Sequence, residues 1–182
     1  MRWYVRHGDL LDVPADVLVC SANVYLNLSG GVGGAFLLRY GPLMQESLQQ
    51  FLACRGIRHV EQGDVIAMPP CGSPYRAVLH AVAVNGAYES SPAVVASVVA
   101  ESLRQAAALQ AQSVALAAVA TGYGRMSMTD FAAGIRPVVT GSFLPLERVT
   151  IGLRSAYDVQ ELLALMPELT PTEQACSTKP DH

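Results

Sequence analysis

DVLVCSANVYLNLSGGVGGAFLL, residues 16–38, is the stretch whose reading decides the fold. It opens on Val17-Leu18-Val19-Cys20, an apolar run short and β-branched enough for a buried strand. Ser21-Ala22-Asn23 leads into a loop ending Ser29-Gly30-Gly31-Val32-Gly33-Gly34, and Ala35-Phe36-Leu37-Leu38 reads as the first turn of a helix. Strand, glycine-rich turn and helix N-terminus, in that order, gather unpaired backbone N–H groups around an anion. Glycine suits the turn because a Cβ blocks both positive φ angles and close approach by a phosphate. The spacing is not GxGxxG, and no Lys-Ser or Lys-Thr follows, so neither a dinucleotide-binding turn nor a P-loop is supported. A tight strand-to-helix turn or a flexible linker accounts for the same letters, so this stretch alone leaves the choice open.

Outward from it, Trp3-Tyr4-Val5 reads as a first strand stopped by Gly8-Asp9, and residues 10–15 as a turn or short helix. The helix after the glycines breaks at Gly41-Pro42, and a second runs over about 43–54. Residues 65–68 form a strand ended by Pro69-Pro70, and the near-continuously apolar 76–84 a central one. Pro92 suits the first position of a long helix to about 111. Residues 114–119 are the next buried strand, followed by a second glycine-bearing loop, Thr121-Gly122-Tyr123-Gly124-Arg125. A helix capped by Ser127 or Thr129 reaches about 139; a last strand covers 149–153 and a last helix 157–165. Alternating strands and helices predict an α/β domain over residues 1–166, with a mixed, mostly parallel sheet and helices on both faces. From Pro167 the composition turns to Pro, Thr, Ser and charge, which predicts a disordered tail over 167–182.

Composition narrows the function classes. A chain of 182 residues, 51% hydrophobic and 15% charged, has material for one sizeable core. No apolar run approaches the ~20 residues of a membrane span. The opening MRWYVRHGD has no apolar signal region, so a cytoplasmic location is expected. A formal charge of -3 gives no footprint for sequence-specific nucleic-acid binding, and no membrane partner is expected. Cys20, Cys54, Cys71 and Cys176 lack CxxC or metal-ligand spacing, so no metal and no cofactor is expected.

Taken together, these residues resemble a macro domain, the three-layer α/β/α module that binds ADP-ribose. Gly8-Asp9-Leu10 through Asn23 resembles the family's GDI…DAIVNAAN stretch without a gap, with Asp9, Asp16 and Asn23 on matching positions. Gly30 to Ala35 resembles its GGGVxGAI loop, and Val119 to Gly124 its GTGxxG loop. Gly63-Asp64 and His80-Ala81-Val82 fall where the family has a GD pair and an IHAV strand. The resemblance implies ADP-ribose or an ADP-ribosylated substrate as partner and leaves the oligomeric state open.

It also implies roles. Asp9 accepts from the adenine amine, with a turn cap as the plainer alternative, and Leu10 offers a backbone N–H to the ring. Asn23 meets the distal ribose, its amide having both donors and an acceptor. Gly30, Gly31, Val32, Gly33 and Gly34 form a first phosphate loop, and Ala120, Thr121, Gly122, Tyr123 and Gly124 a second. Tyr123 lies over the ligand or packs in the core. Arg125 stands where the commoner family loop has glycine, and faces phosphate or water. Arg154 sits about where relatives place an aromatic over adenine, and a guanidinium plane also stacks. His80 reads as a hydrogen-bonded core histidine and Cys20 as a small buried residue.

Catalysis is where the chain departs from the resemblance. MacroD-type hydrolases carry an Asp in the first loop and a His one helical turn later; the matching positions here hold Gly33 and Leu37. No Asp, Glu, His, Lys or Arg lies between Val17 and Leu38, so the usual general base is missing. Two readings of different class stand, a module binding ADP-ribose or a related ADP-ribosyl metabolite, or a hydrolase of ADP-ribosyl esters, phosphates or modified macromolecules; a macro-like fold whose site has drifted to another ligand is the blander third. In the second, Asn23, the loop backbone and the substrate's diphosphate place a water. A Gly33→Glu variant is expected to abolish binding with the fold intact.

Overall fold

The computed structural model describes residues 1–172. In chain order it has β1 (Arg2–His7), a 3-10 turn (Leu10–Asp12), β2 (Val17–Ala22), α1 (Gly31–Tyr40), α2 (Leu43–Cys54) and β3 (Val65–Met68). Then follow β4 (Ala77–Val82), α3 (Pro92–Ala108), β5 (Ser113–Ala117), α4 (Met128–Val139), β6 (Arg148–Leu153), α5 (Ala156–Leu165) and β7 (Thr170–Pro171).

The period of two along the strands makes the layers. Val17 and Val19 of β2 face one core while Leu18, Cys20 and Ala22 face a second. Val114 and Leu116 of β5 divide from Ala115 and Ala117 in the same way. The first core is closed by α3, α4 and α5 through residues such as Val98, Phe131 and Leu162; the second by α1 and α2 through Phe36, Met44 and Leu48. Between them lies a seven-stranded sheet of order β3-β4-β2-β5-β6-β1-β7. Every pairing is parallel except β3 with β4. This is the expected three-layer α/β/α arrangement.

Asp16 shows how the sheet is pinned at the edge where β2 begins. Its carboxylate accepts from the Gln112 N–H at 2.8 Å and the Ser113 N–H at 3.0 Å, and pairs with Arg76 at 3.2 Å. Burial pushes this carboxyl up, but the bonds from Gln112 and Ser113, helped by Arg76, hold it below the usual range.

Two expectations need correction. Helix α1 begins at Gly31 rather than Ala35, so the glycine-rich loop is mostly the helix's first turn, closed by the Gly34 N–H donating to the Gly30 carbonyl at 3.0 Å. Glycine's low helix propensity is overridden because the turn packs on Leu28. The predicted tail begins too early. Leu169 is buried, Thr170 and Pro171 form β7 beside β1, and the Thr172 N–H donates to the Val5 carbonyl at 2.9 Å, so the fold continues through 167–172. The rest of that tail, 173–182, lies outside the described residues. His80 is the hydrogen-bonded core residue expected: its Nε2 meets the Met44 sulfur at 3.3 Å, while its Nδ1 has no partner among the described residues. Burial drives its pKa down to about 4, so the ring is neutral at pH 7. Cys20 is fully buried and its thiol is pushed up to about 12, which keeps it unreactive.

Candidate functional site

Strand order decides what meets at the carboxyl edge. β4, β2, β5, β6 and β1 lie side by side and run the same way, so the segments leaving them share one rim. There they border a cleft of about 430 Å³. At ~4.8 Å per strand step, the exits of β2 and β6 are separated by roughly 10 Å and those of β2 and β1 by roughly 15 Å. The cleft is therefore elongated, and its parts come from distant stretches of sequence.

At the β2 end stand Asn23, Asn27 and Ser29, with Tyr88 reaching in from the segment after β4. Asn23 is partly engaged by its own loop: its Oδ1 accepts from the Tyr25 N–H at 3.0 Å and the Asn27 N–H at 3.4 Å, and its Nδ2 donates to the Asn27 carbonyl at 3.1 Å. One amide hydrogen of Asn23 remains over.

The middle is backbone. Gly30, Gly31 and Val32 line one wall and Ala120, Thr121, Gly122, Tyr123 and Gly124 the other. The N–H groups of Gly31, Val32 and Gly33 precede the first intrahelical bond and have no partner among the described residues. Opposite, the Ala120 N–H donates to Ser21 Oγ, and those of Arg125 and Met126 to the carbonyls of Gly122 and Ala120. That folding leaves the Gly122, Tyr123 and Gly124 amides unpartnered among the described residues. Two sets of free amides thus face one cleft, and the α1 N-terminus adds its positive dipole end.

The far end is formed by Gly8, Leu10, Gly152, Leu153, Arg154 and Asp158. The 3-10 turn sits tight on β6 because position 152 has no side chain; a Cβ there would lie 2.6 Å from Leu10 Cδ1. Arg154 and Asp158 are the charged residues among those lining the cleft.

Most of the sequence-predicted residues converge here: Leu10, Asn23, Gly30, Gly31, Val32, Ala120, Thr121, Gly122, Tyr123, Gly124 and Arg154. Four do not line it. Asp9 caps the 3-10 turn, its Oδ1 accepting from the Leu11 N–H at 3.0 Å, and its Oδ2 pairs with Arg39 at 3.0 Å. Gly33 faces inward, where a Cβ would lie 3.0 Å from Leu28 Cδ2, and the Gly34 N–H is already bonded within the helix. Arg125, at φ 51°, borders a neighbouring recess with Glu89 and Asp130. Core packing is excluded for Tyr123: it is 67% exposed, and its hydroxyl would lie 2.5 Å from a Cβ on Gly30. Its ring lies 6.2 Å from that of Tyr88 at the mouth. Ser21, Tyr88 and Asp158 escaped the sequence reading. Ser21 was discoverable as a polar residue ending a buried strand; the other two had no local signal.

Fold and cleft together define an α/β/α module with a groove at the carboxyl edge of its sheet, walled by backbone amides. The family model for the macro domain matches residues 19–135, and the chain belongs to that family. A macro domain-containing protein of Streptomyces griseus is 34% identical over 87% of this chain and 92% of its own length. The O-acetyl-ADP-ribose deacetylase of Citrobacter koseri is 31% identical over 68% of this chain and 70% of its own. Among solved structures, an Oceanobacillus iheyensis macrodomain variant with ADPR superposes with a TM-score of 0.77 at 20% identity, over 90% of this chain and 92% of that one.

Proposed function

We propose that this macro domain binds ADP-ribose, free or as an ADP-ribosyl group, with the diphosphate across the middle of the cleft. The observation that carries this reading is the pair of unpartnered amide sets, Gly31-Val32 and Gly122-Tyr123-Gly124, on opposite walls of a groove without a cation at its centre. An N–H donating to a charged oxygen contributes roughly 1.5–3 kcal/mol net, so a few such bonds offset the ordering cost of a small ligand. Asn23 offers its remaining N–H to the distal ribose, and Tyr88 and Tyr123 flank that sugar. The α1 dipole favours the dianion further. The ADPR held by the Oceanobacillus relative supports the ligand class.

Titration calorimetry with ADP-ribose, AMP and NAD tests the reading. ADP-ribose is expected to bind at least about tenfold more tightly than AMP, which lacks the second phosphate and ribose. Equal affinities, or no heat with ADP-ribose, would reject it.

The named activity of the Citrobacter relative keeps hydrolysis as a second reading. Against rapid turnover stands the β2 end of the cleft, where the lining residues include no carboxylate and no imidazole. Incubation with O-acetyl-ADP-ribose and with an ADP-ribosylated protein, comparing wild type with Asn23→Ala, is expected to show no product above the uncatalysed rate. Release that disappears in the variant would establish the hydrolase instead.

A further inference from the structure

The hollow surface of the molecule does not end at the tyrosines of the cleft mouth. Tyr88 and Tyr123, together with Gly31, Gly122 and Gly124, also line a second recess of about 1100 Å³. Its other walls come from the segment after β4, the turn after β5 and the first turn of α4, through Glu89, Ser90, Arg125, Met126 and Asp130. The Ser90 hydroxyl oxygen is buried there and has no hydrogen-bond partner among the described residues. The reading above seats ADP-ribose in the cleft with its distal sugar against the two tyrosines. A group attached to that sugar therefore leaves it beside the recess.

Charge narrows what that group is. Glu89 accepts from Asn85 Nδ2 at 3.0 Å and Asp130 from Ser127 Oγ at 2.7 Å, each through one carboxylate oxygen. The other oxygen of each, and the Arg125 guanidinium, have no partner among the described residues. Two carboxylates and one guanidinium suit a polypeptide. The carboxylates face Lys or Arg side chains, the guanidinium donates to main-chain carbonyls, and the tyrosine rings attract cations by their faces. A nucleic acid carries a phosphate at every residue, which the two carboxylates repel.

We infer that the recess binds the polypeptide carrying an ADP-ribosyl group and favours segments with basic residues beside the modified one. This rests on the ADP-ribose reading above and names the substrate class for that site, modified proteins with a basic flank.

Calorimetry compares free ADP-ribose with three probes. Two are peptides ADP-ribosylated on a central serine and flanked by lysines or by glutamates, and the third is a DNA oligonucleotide ADP-ribosylated on its terminal phosphate. Wild type is expected to bind the lysine-flanked peptide about tenfold more tightly than the glutamate-flanked one, the size of two exposed ion pairs turned into repulsions. The oligonucleotide is expected to bind no more tightly than the glutamate-flanked peptide. Added salt is expected to shrink the peptide ratio. The double variant Glu89→Gln, Asp130→Asn, altered at neither side of the cleft lining, is expected to bring the ratio to within about threefold of unity and to keep its affinity for free ADP-ribose. A wild-type ratio near unity, a ratio indifferent to salt, a tenfold ratio kept in the variant, or tightest binding by the oligonucleotide overturns the inference while ADP-ribose binding stands. Failure of wild type to bind free ADP-ribose overturns the functional reading and this inference with it.

Discussion

The two glycine-bearing segments look alike as text and work differently as structure. In the first, Gly31 to Gly34 are the opening turn of a helix, and the amides of Gly31, Val32 and Gly33 are free because no helical carbonyl lies one turn before them. Gly33 is there for packing, its α-hydrogens against Leu28. In the second, a turn is folded through positive φ at two residues that are not glycine, Ala120 at 66° and Arg125 at 51°. Gly124 is the tight position, where a Cβ would lie 2.5 Å from the Ala120 carbonyl and 2.7 Å from Val84 Cγ1. Gly122 is open, with nothing within 4 Å of its missing Cβ. A glycine in a fingerprint thus stands for any of three demands: close packing, unusual backbone, or room for ligand.

The sharpest way to break this comparison is to place one carboxylate in each segment. Gly33→Glu forces a charge into the Leu28 contact and is expected to cost on the order of 4 kcal/mol, seen as loss of cooperative thermal unfolding. Gly122→Glu is expected to keep stability within about 0.5 kcal/mol while removing ADP-ribose heat in calorimetry, because its charge sits beside the amides of the second wall. A folded, non-binding Gly33→Glu would reverse the two roles and restore the expectation drawn from sequence.

Acid provides the next largest effect and a control, since neither segment holds an Asp, Glu, His or Lys. His80 has a folded pKa of about 4, below its ordinary 6.5. The unfolded chain therefore takes up the proton first. The stability contributed by neutral His80 is fully present above pH 6.5 and is lost as pH falls toward 4, in all roughly 3 kcal/mol. Denaturant melts across that range are expected to follow this slope and to flatten in His80→Gln, while ADP-ribose affinity between pH 6.5 and 8 stays level. Gly124→Ala comes third, at about 1–3 kcal/mol of overpacking in melts, with affinity falling as the second wall shifts. Smallest is Ala120→Gly. Relief of the positive φ is offset by the entropy a glycine adds to the unfolded chain, so stability is expected to change by less than about 0.5 kcal/mol.

Much of the site was legible because it is local. Val17 to Asn23 announces a buried strand ending in a polar turn, and the glycines after it announce a helix entry; both are short-range preferences of the chain. The same holds for Ala120 to Gly124 after β5. Less legible was anything decided by direction or by a distant neighbour. The motif carries no sign that the Asp9 carboxylate also caps the 3-10 turn and pairs with Arg39 of α1. Asp158 had no signal at all, since its place depends on α5 returning beside the 3-10 turn.

What the sequence determined by itself was the alternation of strands and helices, the family, and the two wall segments, because hydrophobic period and glycine placement act over a few residues. Only the tertiary structure decided which glycines face the groove, that residues 170–171 extend the sheet, and that Leu10, Arg154 and Asp158 share the groove's far end. The physical reason is that parallel strands bring together chain segments from opposite ends of the molecule, and a side chain's direction is set by what those segments leave for it to touch.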